Sequence, residues 1–390
     1  MGTYKLRDYQ QAASDAAVSF FNDKTKKNGI IIAPTGSGKS LIISDIASKI
    51  KENVLVFQPS KEILEQNYAK MLSYGCTCCS IYSASFGSKE ISRITFATIG
   101  SVANHIEDFR RFKYIIIDEA HLVNAKGGQY MDFIQDTRRK VVGLTATPYR
   151  LSSSFEGSML KFLTRTRPRV FSSVLYEISI QRLMSQGFLA KLRYFDMQML
   201  DASGVRKNTT GSDYDDKSLK EAYIAQNLYD KLVDVVRRLQ KPKNGVPRKG
   251  ILVFTRYIEE SERLAQSIEG CEIVTGETPK KERERILNDF KAGKIPVVTN
   301  VGVLTTGFDF PALDTVVMAR PTMSLSMYYQ IVGRAIRPYE GKDGWFVDLC
   351  GNIGRFGKVD DLRVDEPWPG GYIVNGVVNG RLKQLTNVVF

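Results

Sequence analysis

Two short runs of residues could carry chemistry by themselves. Ala33-Pro34-Thr35-Gly36-Ser37-Gly38-Lys39-Ser40 sets two glycines ahead of a lysine and a hydroxyl. Without a Cβ, Gly36 and Gly38 can take left-handed dihedrals and turn backbone N–H groups inward around an anion. In such a phosphate cradle Pro34, Thr35 and Ser37 complete the loop, Lys39 reaches the terminal phosphates and Ser40 offers its hydroxyl to magnesium. The second run is Asp118-Glu119-Ala120-His121. There Asp118 can organise a magnesium ion, and Glu119 can orient and deprotonate an attacking water.

Neither run decides the matter alone. Ala33 occupies the place where the common form of the cradle has its first glycine, and an acidic turn can simply cap a helix. The flanking residues add the missing context. Gly29-Ile30-Ile31-Ile32 reads as a short buried strand before the cradle, and Leu41 to Ala47 reads as a helix after it. Tyr114-Ile115-Ile116-Ile117 is a matching strand before Asp118. Strand, loop and helix in that order, answered by a carboxylate pair at a second strand tip, predict a nucleotide hydrolase.

The elements that must position these groups alternate along the chain. Strands are expected at 54–57, 94–97 and 141–144, with a helix over 61–74. Apolar strands alternating with helices predict a mostly parallel sheet covered on both faces, with catalytic loops at the strands' carboxyl ends. A second series starts near residue 250, with strands at 250–254, 271–274, 296–299 and 315–318 and helices over 258–268, 280–292 and 324–335. It contains no second phosphate loop, so one nucleotide is expected to serve both domains. The boundaries that follow are a first domain over 1–168, a connecting segment and start of the second domain over 169–249, a second-domain core over 250–365 and a small extension over 366–390. Within the connector, 201–218 is polar and glycine-bearing and is expected to be flexible, while 219–239 has helical spacing. In the extension, the apolar runs 372–374 and 377–378 predict a small strand pair.

Composition narrows the setting. The 390 residues are 43% apolar and 25% charged, and 55 Lys and Arg against 42 Asp and Glu give a net charge of +13. That excess favours a polyanionic partner. No apolar run approaches the roughly 20 residues that span a bilayer, and the polar N-terminus carries no secretory core, so a cytoplasmic location with no membrane partner is expected. Cys76, Cys78, Cys79, Cys271 and Cys350 lack two spaced pairs for zinc and are expected to be free thiols.

The order of these and further motifs resembles the superfamily 2 helicases and translocases over nearly the whole chain. Leu6-Arg7-Asp8-Tyr9-Gln10 is similar to the family's nucleotide-sensing element, which implies adenine contact by Gln10 with Arg7 or Tyr9 in support. Residues 33–40 resemble motif I in the family's alanine-led form, and 118–121 resemble motif II, a DEAH box. Gln58-Pro59-Ser60 and Thr98-Ile99-Gly100 resemble elements that touch one nucleic-acid strand. Leu144-Thr145-Ala146-Thr147-Pro148 resembles motif III, where Thr145, Thr147 and His121 couple hydrolysis to domain closure. Phe254-Thr255-Arg256 resembles motif IV. Thr299-Asn300, Thr305-Thr306-Gly307 and Asp309 resemble motif V, and Gln330 to Arg337 resemble motif VI.

The resemblance implies two tandem RecA-like α/β domains with mostly parallel sheets and an interdomain ATP cleft. It assigns ATP and Mg2+ as cofactors, Arg334 and Arg337 to the γ phosphate with Gln330 beside them, and Gly307 and Asp309 to the nucleotide. It assigns Ser60, Thr98, Arg256, Thr299, Asn300 and Thr305 to nucleic acid. Residues 330, 334 and 337 are expected on one face of the motif VI helix. The run from Asp348 to Gly357 resembles a segment of RadD-like bacterial and phage helicases, although Arg355-Phe356 lacks the usual His. The expected activity is an ATP-dependent DNA helicase or translocase, working as a monomer. The alternatives are a duplex translocase or annealing motor, an RNA helicase, and an ATP-switched recruitment module.

Overall fold

The computed structural model describes residues 5–25, 27–154, 157–305 and 307–389. The chain divides into two compact units. The first comprises 1–150, 160–182 and 364–374, and the second 151–159, 183–363 and 375–390.

The first unit begins with α1 (Asp8–Asn22), β1 (Gly29–Ile32), α2 (Lys39–Lys49), β2 (Val54–Phe57) and α3 (Lys61–Ser73). It continues through β3 (Cys79–Ser83), β4 (Ser88–Lys89), β5 (Ile94–Ala97), α4 (Ile99–Val102), β6 (Tyr114–Asp118), α5 (Gln129–Thr137) and β7 (Lys140–Thr145). After a hairpin of β8 (Tyr149–Ser154) and β9 (Gly157–Phe162) comes β10 (Ser173–Glu177), then α6 (Ile180–Ser185). The sheet order is β10-β1-β7-β6-β2-β5-β3-β4, parallel except for the short edge strand β4. Strands β1, β2, β5 and β6 are buried at every position. That is why their sequences are continuous apolar runs rather than alternating ones.

Strand β10 corrects the expected boundary. Gly29 pairs with Ser173 and Ile32 with Glu177, so the sheet of the first unit extends beyond residue 168. This edge strand is only half-buried, and its apolar run, Val174-Leu175-Tyr176, is short.

The second unit has β11 (Leu192–Asp196), α7 (Asp216–Ala225), α8 (Leu228–Gln240), β12 (Ile251–Thr255), α9 (Ile258–Ser267) and β13 (Cys271–Val274). It goes on with α10 (Lys280–Lys291), β14 (Val297–Val301), β15 (Thr315–Met318), α11 (Leu325–Val332), β16 (Gly344–Asp348) and α12 (Asn352–Phe356). Its six strands are all parallel, in the order β11-β16-β15-β12-β14-β13. Leu232, Val233 and Val236 of α8 pack with Ile251, Val253, Val317 and Val347 in one core. The helical spacing over 219–239 is split into two helices at Asn227, which takes a left-handed φ of 52°.

The 201–218 stretch carries local hydrogen bonds. Asn208 Oδ1 accepts from Ser212 N, and Lys207 and Tyr214 form a β-bridge. Asp215 caps α7 by accepting from Ser218 N at 2.9 Å. The chain's last strands are β17 (Arg363–Asp365), β18 (Ile373–Val378) and β19 (Arg381–Gln384). The two apolar runs expected to pair with each other lie in one strand, β18, whose partner is β19 across Asn379-Gly380. Both turn residues have positive φ, the requirement of the tight hairpin turn that joins twisted strands.

Candidate functional site

Strand order brings the chemistry of the first unit together. β1, β7 and β6 are neighbours, with Ile32 beside Thr145 and Leu144 beside Asp118. The cradle, Thr145 and the carboxylates therefore leave the sheet at the same edge. Ala33 N donates to Thr145 O at 2.9 Å and fastens the start of the cradle to β7.

The loop then folds as its glycines require. Gly36 and Gly38 have φ of 86° and 84°. At Gly38 a Cβ would stand 2.4 Å from Gln10 Nε2, so both conformation and space exclude a side chain. Gln10 Nε2 and Tyr9 Oη donate to Ser37 O at 2.8 and 3.2 Å, while Gln10 Oε1 accepts from Arg7 N and Tyr9 Oη from Arg7 Nη1. Gln10, expected at the adenine, and Tyr9 thus both hold a carbonyl of the cradle, and Arg7 holds Gln10 and Tyr9. Pro34 O accepts from Ser37 N, and α2 starts at Lys39 with Ser40 in its first turn.

A chain of polar contacts runs from the cradle to motif III. Lys39 Nζ lies 3.2 Å from Glu119 Oε1, and Glu119 Oε2 lies 3.3 Å from His121 Nδ1. His121 Nδ1 is also 3.0 Å from Thr145 Oγ1, which accepts from Thr147 N. Arg150 donates to His121 O at 2.9 Å. Glu119 adopts a left-handed backbone, φ 51° and ψ 51°, an uncommon state for a residue with a side chain. The surrounding contacts hold it there.

The two carboxylates have different electrostatics. Burial pushes Asp118 up to about 7, helped by the Glu119 charge and opposed by Lys39. Burial works in the same direction on Glu119, but Lys39 and His121 outweigh it and hold its carboxyl well below the usual range. Asp118 accepts from Glu119 N and from Asn67 Nδ2, at 2.9 and 3.2 Å. Asn67 also donates to Gln58 Oε1 at 2.8 Å. Asn67 is a site residue that the motif reading did not single out. Its signal is a polar amide at the same helical register as buried Leu64 and Met71.

The donor set fits a magnesium nucleotide. Among the described residues no cluster of three or more His, Cys, Asp or Glu could cage a metal. Magnesium commonly takes only one or two protein oxygens and leaves its other positions to water and phosphate. Ser40, in the first turn of α2, and Asp118, at the end of β6, are the oxygens that would hold such an ion. Ser37 Oγ and Thr147 Oγ1 are buried with no hydrogen-bond partner among the described residues. Ser60 caps α3 through a contact from Ile63 N at 3.4 Å, and the Thr98 hydroxyl is 2.9 Å from that of Ser101.

In the second unit several expected site residues serve the fold. Thr299 and Asn300 are fully buried. The Thr299 hydroxyl meets Ser261 Oγ at 2.8 Å, and Asn300 Nδ2 donates to Val253 O while its Oδ1 accepts from Leu304 N. Their expected contact with nucleic acid is corrected accordingly, because neither side chain reaches the surface. Arg256 is held by Asp213 and Asp216, each at 2.7 Å. Thr305 donates to Gly302 O, Gly307 has φ 74°, and Thr306 lies outside the described residues.

Motif VI is also corrected in shape. α11 carries Gln330 but ends at Val332, with Gly333 as its cap, so Arg334 and Arg337 lie in the turn beyond it rather than on one helical face. Arg334 donates to Phe308 O and to Gln330 O. Arg337 pairs with Asp309 at 3.2 Å, which joins two residues assigned to the nucleotide. Asp348 at the end of β16 is fully buried and accepts from Cys350 N, Ile353 N and Asn352 Nδ2, a structural knot under the start of α12.

Comparison with known proteins finds a family match within each unit. Residues 3–150 match the family model described as type III restriction enzyme, res subunit, and residues 229–339 match the helicase conserved C-terminal domain. The chain is 28% identical to a 51.5 kDa protein of a Lactococcus phage, over 85% of this chain and 67% of that one. It is 25% identical to the DNA 3'-5' translocase XPB2 of Sulfurisphaera tokodaii, over 85% of this chain and 79% of the relative. Some other curated relatives are matched over only about half of their length. A fragment assigned as an HsdR subunit of a type I restriction enzyme from Vibrio vulnificus superposes with a TM-score of 0.70 at 23% identity, covering 93% of this chain and 67% of that structure.

Proposed function

The chain belongs to the superfamily 2 helicases, and from that premise we propose that it hydrolyses ATP with Mg2+ in order to move along or remodel DNA. The observation that carries this reading is the Lys39–Glu119–His121–Thr145 chain, which ties a phosphate cradle to a carboxylate kept ionised. A carboxylate in that state can accept a proton from water. The bound magnesium would neutralise charge on the phosphates, held by Ser40 and Asp118.

The chain's own residues do the rest. Lys39 and the backbone N–H groups of the Gly36–Lys39 turn bind phosphate oxygens. Engagement of a phosphate by Lys39 draws its charge away from Glu119 and raises the proton affinity of that carboxylate. His121 keeps hold of Oε2 and leaves Oε1 to meet the water. Thr145, bonded to both His121 and the Thr147 backbone, carries the state of Glu119 into the loop after β7. Arg334 and Arg337 are proposed to serve turnover, as their place in motif VI suggests. Ser60, Thr98 and Thr305 are proposed to meet the nucleic-acid backbone, which would position a strand without reading its sequence.

DNA is favoured over RNA by the named activity of the archaeal relative, and the net charge of +13 supports a polyanion of either kind. The test is ATP turnover with single-stranded DNA, duplex DNA, forked DNA and RNA, followed by strand-displacement and triplex-displacement assays on the strongest activator. Stimulation by DNA together with displacement of either kind is expected. Triplex displacement without unwinding identifies a duplex translocase, which the relationship to a named translocase also favours. Binding without turnover on every substrate sinks the motor reading.

A further inference from the structure

The loop between α3 and β3 holds three cysteines in four residues, and the structure separates their roles. Cys76 Sγ and Cys78 Sγ are 3.1 Å apart. Cys79 Sγ instead donates to Cys76 O, curling the loop in which the Cys76 and Cys78 side chains meet. Ile94 N donates to Cys78 O at 3.1 Å, which pins the backbone at the start of the sheet while the Cys78 side chain stays exposed. Arg93 Nη2 lies 3.0 Å from Cys78 Sγ. The same guanidinium donates through Nη1 to Ile50 O and Ala47 O at the carboxyl end of α2, the helix that opens with Lys39 and Ser40.

We propose that Cys76 and Cys78 form a redox-active dithiol that small-molecule disulfides convert reversibly to an intramolecular disulfide. The Cys78 thiolate attacks one sulfur of the small disulfide and expels one thiolate, leaving a mixed disulfide on Cys78. Cys76 then loses its proton to solvent, attacks Cys78 Sγ and expels the second thiolate. Two protein thiols are oxidised, one small disulfide is reduced to two thiols, and the two protons end on those products.

The electrostatics assign the order of attack. Burial works against the Cys78 thiolate, yet the Cys76 thiol and the Arg93 guanidinium hold the Cys78 thiol below its ordinary value. Cys76 is raised by burial and suits the resolving role. Burial pushes Cys79 up to about 12, so it stays a thiol. A cationic neighbour and exposure are the features that mark a reactive cysteine. An exposed disulfide spanning so short a loop is of the labile kind, readily reduced again.

The experiment incubates the full chain in buffers of graded glutathione to glutathione disulfide ratio, then acid-quenches, alkylates and maps the peptide by mass spectrometry. The expected result is paired loss of the Cys76 and Cys78 thiols, a Cys76–Cys78 bond in the fragment spectrum, an alkylated Cys79, and full reversal by dithiothreitol. Cys76→Ser should stall with one glutathione on Cys78, and Cys78→Ser should react several-fold more slowly. Alkylation of both thiols in the wild type at every ratio, or a bond that involves Cys79, overturns the proposal. Because the wild-type map alone decides, misfolding of a serine variant cannot rescue it.

Discussion

Glu119 in the first unit, directly after β6, and Glu260 in the second, in the first turn of the helix that follows β12, are both carboxylates shielded from solvent, and they end in opposite electrostatic states. Glu119 faces Lys39 and His121, which keep it ionised against burial. Glu260 is 1% exposed, and its Oε2 accepts from Arg256 N and Tyr257 N at 2.9 and 2.8 Å. Its Oε1 has no partner among the described residues. Burial pushes it up to about 8, against the pull of those amides and of Arg320. The same sheet-and-helix plan leaves an ionised carboxylate where a lysine at the start of α2 answers it, and a helix-capping acid where no lysine does.

The largest effect expected from that contrast is at Lys39. Lys39→Ala should lower ATP turnover by at least about a hundredfold and weaken nucleotide binding as well. Near-parental turnover would mean that the cradle lysine is not what sets the first unit apart.

Next comes the pH behaviour of Glu260. A carboxyl raised from 4.5 to about 8 on folding contributes stability that is present below about 4.5 and lost as pH rises toward 8. Relative to Glu260→Gln, which mimics the protonated acid, the wild type should lose on the order of a few kcal/mol across that window. Denaturant unfolding of both proteins at several pH values measures the gap. A constant gap shows that Glu260 does not bind its proton more tightly in the fold.

Asn300→Ala should cost about 2 kcal/mol of unfolding free energy, because Val253 O and Leu304 N both lose a buried partner. Loss of DNA affinity with unchanged stability would return Asn300 to the nucleic-acid surface. The smallest effect belongs to Ser60→Ala, about 0.5–1 kcal/mol for a lost helix cap, read as a shift in the denaturant midpoint. A larger drop in DNA affinity than in stability would show that Ser60 also meets the strand.

The two units also differed in how much their residues announced. In the first, continuous apolar runs stop abruptly at Ala33 and Asp118, and burial on both faces leaves no other pattern for such strands. The adjacency of β1, β7 and β6 made those stops one site, which motif order implied and spacing alone could not. Asn67 was hidden because a lone amide in a helix resembles a surface residue until its register with Leu64 and Met71 is noticed. In the second unit the polar strand residues Thr299 and Asn300 looked like surface contacts, since strand-end polar groups serve either purpose. Only the partners Ser261 and Val253, distant in sequence, with Leu304 in the following turn, show them to be internal. The clamp of Asp213 and Asp216 on Arg256 had the same obstacle: it joins the expected flexible stretch to a motif some forty residues on, and no local pattern encodes that meeting. The motif VI helix ends at Val332 where periodicity alone would have continued it, with Arg334 N and Ala335 N bonding instead to Ile331 O and Val332 O in a tighter turn.

The most direct test of the central claim is ATP turnover by Glu119→Gln, measured beside nucleotide affinity. Glutamine keeps the shape but cannot take a proton. Nucleotide binding should persist, DNA-stimulated turnover should fall by about a hundredfold or more, and the unfolding midpoint should move far less than the rate. Turnover close to the parental rate would contradict the account, because the carboxylate held ionised by Lys39 and His121 would then not be the group that takes the proton.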